Sequence, residues 1–185
     1  MKNLFVLAAF LLTTLTGRAT EIRPTAFAKN VTTVQFNNVK KGHELTIKNA
    51  TSEILYTESM KSNGLYTQYF DLTTLVNGDY TIELDKDSEI LIKYFNVENG
   101  VVSYANVTEN TFFKPAVRLK NNQLFVSQLV SYDEVLDVQI YYNNELIQED
   151  SLSDATILNR IYQLDATKKG SYVVIMKSAD REFYQ

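Results

Sequence analysis

The chain has 185 residues, with 18 basic against 22 acidic side chains and neither cysteine nor tryptophan. Without cysteine there is no disulfide framework, zinc–thiolate site or lipid-modified amino-terminal cysteine, and the acidic balance excludes the basic footprint of a nucleic-acid-binding protein. Twelve tyrosines and ten phenylalanines against six glycines and two prolines give the aromatic bias of half-buried strands, so the chain reads as all-β.

The first segment reads as something other than fold. After Lys2 an apolar run from Leu4 to Leu12 leads to Gly17-Arg18-Ala19, with small residues at the positions a signal peptidase reads. This is the order of a secretory signal peptide, too short for a flanked membrane-spanning helix. Cleavage after Ala19 removes Lys2 and Arg18 and no acidic residue, which leaves a chain about six charges negative. No second apolar segment of membrane length follows, so the product is expected to be exported and not membrane-spanning.

Beyond it, alternation predicts strands. Tyr80, Ile82 and Leu84 point one way and Thr81, Glu83 and Asp85 the other, while Leu136, Val138, Ile140 and Tyr142 alternate with Asp137, Gln139 and Tyr141. One dry and one wet face per strand fits antiparallel sheets packed face to face. Further strands are expected at 34–36, 44–47, 54–58, 66–72, 90–97, 117–119, 124–129, 145–148, 158–164, 172–176 and 182–184. Asn99-Gly100 is expected to close a hairpin that returns through Val101 to Ala105.

The chain also repeats itself. Its two prolines, Pro24 and Pro115, each follow a basic residue, and Gly78-Asp79-Tyr80-Thr81-Ile82 corresponds to Gly170-Ser171-Tyr172-Val173-Val174. Phe70-Asp71-Leu72 corresponds to Tyr162-Gln163-Leu164, and Leu45-Thr46-Ile47 to Val138-Gln139-Ile140. The expectation is a tandem repeat of two antiparallel β-sandwich domains of about 80 residues each: a signal peptide at 1–19, a first domain at 20–106 and a second at 107–185. The repeat also decides the segment from Ser153 to Ala166. Ile157, Ile161 and Leu164 allow an amphipathic helix there, but the counterpart from Tyr66 to Leu72 alternates, so a strand is expected.

Leu45-Thr46-Ile47, Glu53-Ile54-Leu55-Tyr56, the run from Phe70 to Glu83 and Lys93-Tyr94-Phe95-Asn96-Val97 together resemble the small immunoglobulin-like sandwiches of secreted Bacteroidetes proteins. These include the carboxy-terminal sorting domains of the type IX secretion system. Asp71, Leu72, Leu75, Gly78 and Tyr80 carry the motif in the first copy, and Leu164, Gly170 and Tyr172 in the second. The resemblance implies an immunoglobulin-like fold and life in the periplasm, at the cell surface or outside. The final Arg181-Glu182-Phe183-Tyr184-Gln185 lacks the basic last strand of sorting domains, so the secretion route is implied less directly than the fold. The same residues have a physical reading: Asp71 and Thr73 bond nearby backbone, Leu72 and Leu75 plug a sandwich end, Gly78 supplies a positive-φ turn, and Tyr80 opens a buried strand.

Candidate chemistry is sparse. His43, the one histidine, has no nucleophile, second ligand or orienting carboxylate in any motif and reads as a solvent-facing turn residue. Asp85, Asp87 and Glu89 stand at alternate positions as a calcium candidate, but the recognised loop's glycine is missing and Lys86 intervenes, so a solvated hairpin tip is the simpler reading. Glu149, Asp150 and Asp154 read as a second acidic loop. A carboxylate pair for glycoside cleavage finds little wall for a deep cleft in two small sandwiches. Asn30, Asn49 and Asn106 head Asn-x-Thr triplets, acceptors only in a eukaryotic pathway, and Asp150-Ser151-Leu152 resembles the short O-glycosylation motif of exported Bacteroidetes proteins, which implies Ser151 as acceptor.

The sequence therefore predicts a non-catalytic, cofactor-free adhesive, scaffolding or envelope-interaction module. Its partner would be a protein or a cell-surface glycan met through surfaces and open strand edges. The alternative is a small extracellular carbohydrate-binding protein, with Tyr69 and Tyr141-Tyr142 as a stacking platform.

Overall fold

The computed structural model describes Ile22 and residues 31–105, 109–131 and 134–185. The expected signal peptide, Asn30 and the triplet headed by Asn106 lie outside the described residues.

Strands form where the alternation puts apolar side chains on one face. They are β1 (Thr32–Val39), β2 (Glu44–Asn49), β3 (Ile54–Ser59), β4 (Gly64–Phe70), β5 (Gly78–Asp85), β6 (Glu89–Glu98), β7 (Val101–Tyr104) and β8 (Asn110–Phe113). Then follow β9 (Ala116–Lys120), β10 (Gln123–Leu129), β11 (Leu136–Tyr142), β12 (Glu145–Leu152), β13 (Ile157–Gln163), β14 (Tyr172–Ser178) and β15 (Arg181–Tyr184). All pairings are antiparallel, and the fold is all-β.

In the first half, β3-β2-β5-β6-β7 form one sheet and β1-β4 another. Leu45 faces Leu84 and Ile47 faces Ile82 across β2 and β5. All four are buried in one core with Val34, Phe36 and Phe70 from the opposite pair, and each such side chain withdrawn from water stabilises by roughly 1.5–3 kcal/mol. In the second half, β12-β11-β14-β15 face β13-β10-β9. Ile140 there pairs with Val174 and Val138 with Met176, above Leu124, Val126 and Leu158. The pairing order recurs: β2 lies between β3 and β5 as β11 lies between β12 and β14, and β1 pairs β4 as β10 pairs β13.

Three hairpins turn on two residues that both have positive φ: Asn99-Gly100 as expected, and also Asn121-Asn122 and Asn143-Asn144. Asparagine tolerates the left-handed region better than other non-glycine residues, and such turns match the twist of paired strands. The segment from Ser153 to Ala166 contains strand β13, in which Ile157 and Ile161 are exposed while Leu158 and Tyr162 point inward.

Two readings need correction, and one strand was not foreseen. Strand β4 ends at Phe70, and Leu72 belongs to a single 3-10 turn, Leu72–Thr74. Glu149 and Asp150 are strand residues of β12, leaving Asp154 in a turn with φ of 64°. Strand β8 was not foreseen: its four residues pair with the Glu89–Ile92 half of β6, while β7 pairs with the Phe95–Glu98 half. Strand β8, which follows the expected division at 106/107, is hydrogen-bonded to β6.

Candidate functional site

The motif residues build a sandwich end. Asp71 Oδ1 accepts from the Thr73 amide at 3.2 Å and its hydroxyl at 2.6 Å, which caps the 3-10 turn and seats Leu72 and Leu75 in the core. Gly78 then opens β5 at φ 157°. Tyr80 is buried, stacks on Phe95 at 5.1 Å and donates to the Val76 carbonyl at 2.7 Å. In the second half Leu164 is buried, and the same side-chain turn recurs two positions further on, with Asp165 accepting from the Thr167 amide and hydroxyl. Gly170 answers a different need from Gly78: a Cβ there would lie 2.5 Å from the Tyr142 ring. Tyr172 packs beside Tyr142 with ring centres 5.0 Å apart and is only half-buried, so it is not the full core equivalent of Tyr80.

The acidic hairpin spends its charges on lysines. Asp85 pairs with Lys114, Asp87 with Lys40 at 2.5 Å and Glu89 with Lys86 at 2.7 Å. The hydrogen bond and charge of Lys40 hold Asp87 below the usual carboxylate range. Among the described residues no three His, Asp or Glu side chains converge as a metal site. His43 does stand beside a turn but is not solvent-facing: it is 5% exposed. The turn curls back so that its Nδ1 accepts the Lys40 amide at 3.1 Å and its carbonyl accepts from the Met60 amide. Its Nε2 lies 3.7 Å from Asp87 Oδ1.

Ser151 sits on β12 and donates to Asp137 at 2.5 Å. Asn49 accepts from the amides of Thr51 and Glu53, which locks the β2–β3 turn. The candidate stacking tyrosines do not gather: Tyr69 is exposed on β4, Tyr141 donates to Gln139, and Tyr142 donates to the Lys169 carbonyl.

Where the halves meet, β5 presents Glu83 between two cations. Lys48 Nζ is 2.8 Å from one oxygen and Arg181 Nη2 is 2.9 Å from the other. The Arg181 guanidinium also covers the Phe112 ring, which stacks on Phe183 at 5.9 Å. Burial alone would raise the Glu83 pKa, but the hydrogen bonds and charges of Arg181 and Lys48 outweigh it and hold it below the usual range. The adjoining cleft of about 540 Å³ is lined by polar groups that include Asn49, Tyr94, Asn110 and Asp180.

The open feature is the β12–β13 side of the second half. In the first half the matching side is shut: Tyr56 and Tyr66 both donate to Glu58 at 2.9 Å, and Tyr56 packs edge-on against Phe70. By register, Gln148 and Leu158 stand where those tyrosines stand. A groove of about 340 Å³ is left, with Ile140, Ile147, Asp150, Arg160, Tyr162 and Leu164 on its walls. Burial first, and then the Asp150 carboxylate, push the Tyr162 hydroxyl up to about 12. Strand β12 is an edge strand, and Glu145 to Glu149 are all exposed, with Leu146 and Ile147 each 44% accessible. On the opposite side, β9 is also an edge, carrying exposed Arg118, Lys120 and Leu119.

No family model matches the chain, and no curated protein matches it. Among solved structures it is similar to one described as "Biofilm associated protein - BSP domain", at 15% identity over 83% of this chain, with a TM-score of 0.25. This chain spans about a quarter of that chain's length. The resemblance to sorting domains finds no counterpart in these comparisons.

Sequence reasoning missed the groove and the Glu83 junction. The groove had a signal in the expected repeat, since Gln148, which takes the register position of Tyr56, is not aromatic. The junction had none, because Arg181 and Glu83 occupy unrelated strands.

Proposed function

We propose that the chain is an exported, non-catalytic pair of immunoglobulin-like sandwiches that acts as an adhesive, scaffolding or envelope-interaction module and takes partners by strand addition at β12. The open edge with its exposed Leu146 and Ile147, beside a groove that the first half closes with tyrosines, carries this reading. An edge strand offers a row of unpaired backbone donors and acceptors, and soluble proteins usually blunt such edges. Here the apolar pair adds side-chain contacts to the backbone ladder, the mode by which extended segments are captured. The recurring pairing order supports the two-sandwich reading, and the amino-terminal apolar segment supports export.

Binding of the labelled mature chain to envelope fractions of its own host tests this. The double variant Leu146→Lys with Ile147→Lys should lose binding at least tenfold, while Thr33→Lys on the polar outer face of β1 should not. Equal binding by all three proteins overturns edge docking.

A further inference from the structure

Two of the four edge strands of the second half, β9 and β12, carry opposite charge. Strand β9 presents Arg118 and Lys120, and among the described residues neither forms an ion pair; strand β12 presents Glu145 and Glu149. Each edge also carries exposed apolar side chains: Leu119 is 63% accessible on β9, and Leu146 and Ile147 are 44% accessible on β12. Two β9 edges repel each other, as do two β12 edges, whereas β9 and β12 attract. Charge on an edge commonly prevents pairing of like with like, and between these two strands it favours the mixed pair.

We propose that β9 of one copy adds to β12 of a second copy, so that the chain assembles head to tail. This rests on the strand-docking reading and names its partner as the chain itself. The alternation fits. On β9, Val117 and Leu119 face the core side and Arg118 and Lys120 the outer side, because Val117 pairs with buried Val126 and Leu119 with buried Leu124. On β12, Glu149 pairs with Gln139 on the outer side, while Gln148 and Asp150 pair with buried Ile140 and Val138 on the groove side. An added β9 strand therefore carries Arg118 and Lys120 along the face of Glu149 and turns Leu119 toward the groove by Ile147. A hollow of about 480 Å³ bounded by Val117, Arg118, Lys120 and Phe125 lies across β9 and β10. Because different patches meet, each added copy leaves a free β9 at one end and a free β12 at the other, and assembly continues unless the rotation closes a ring.

Sedimentation velocity of the mature chain tests the proposal through a charge-reversal exchange. The wild type should gain mass with concentration and lose it in about 1 M salt, which screens surface charge within a few ångströms. Arg118→Glu with Lys120→Glu should be monomeric, as should Glu145→Lys with Glu149→Lys, because each makes its two edges alike in sign. An equimolar mixture of the two should assemble again, since each restores the other's complement. Matching circular dichroism and melting profiles establish that both variants fold; should either not, Arg118→Gln with Lys120→Gln replaces it and should weaken assembly at least tenfold. A wild type that stays monomeric to about 1 mM, where even weak association is populated, or a mixture that stays monomeric overturns the proposal. A monomeric chain that still binds envelope through Leu146 and Ile147 overturns self-assembly and leaves strand docking standing, whereas loss of both results removes both.

Discussion

Arg181 Nη2 lies 2.9 Å from Glu83 Oε1, a contact that joins residues 98 positions apart and ties the last strand to the middle of the first sheet. Lys48 completes the cluster from the neighbouring strand. Removing one partner of a buried pair leaves the other incompletely compensated, so Arg181→Met should destabilise the chain by about 3 kcal/mol in denaturant unfolding. The pH response has a definite sign. The folded pKa of Glu83 lies below its unfolded value, so its contribution is complete above the unfolded glutamate pKa of about 4.3 and is lost as pH falls through the folded value. The melting-temperature gap between wild type and Glu83→Gln should therefore close as the pH is taken from 5 toward 2. A gap that stays constant contradicts the assignment.

Tyr80 and Tyr172 follow corresponding glycines but differ in burial. Tyr80→Ala should cost about 3–5 kcal/mol, as for other large core truncations, and Tyr80→Phe about 1 kcal/mol for its bond to the Val76 carbonyl. Tyr172→Ala should cost clearly less than Tyr80→Ala. Equal losses in denaturant unfolding would mean that Tyr172 is more enclosed than its half-exposed position indicates.

Such differences mark what the sequence could convey. Alternation located strands that have one dry and one wet face, as Leu136, Val138 and Ile140 show on β11, while the Asn99-Gly100 turn located β7 and the repeat decided β13. Strand β8 escaped because its four residues have no turn signal of the Asn99-Gly100 kind beside them, and pairing with β6 holds Asn110–Phe113 extended. His43 was placed correctly beside a turn, but the bend that carries Lys40 over its ring is a tertiary fact. The β12–β13 groove depends on what two strands fail to cover, which no single segment records.

Gly170 should resist substitution for steric reasons. A methyl group there meets the Tyr142 ring at 2.5 Å and Asn143 Oδ1 at 2.6 Å, so Gly170→Ala should destabilise by about 1–3 kcal/mol, the usual cost of overpacking. Removing the ring should relieve part of this: in a double-mutant cycle Gly170→Ala should cost less in the Tyr142→Ala background. Additive losses would show that the ring is not the obstacle.

Asp85, Asp87 and Glu89 each face a lysine of their own, so a cation would have to displace three ion pairs to bind there. Melting curves in millimolar calcium and in chelator should superimpose, because a ligand raises the melting temperature only by preferring the native state. A rise of several degrees that vanishes in Asp87→Asn would make the hairpin a metal site.

Amide hydrogen exchange on the chain, free and bound to host envelope fractions, tests strand docking most directly. Docking should slow exchange within Glu145–Leu152, the exposed edge strand, and leave the central amides of β2 and β5 as slow as before, because those are already paired on both sides. Protection gained only around the Glu83 cleft, with Glu145–Leu152 exchanging as in the free chain, would contradict it.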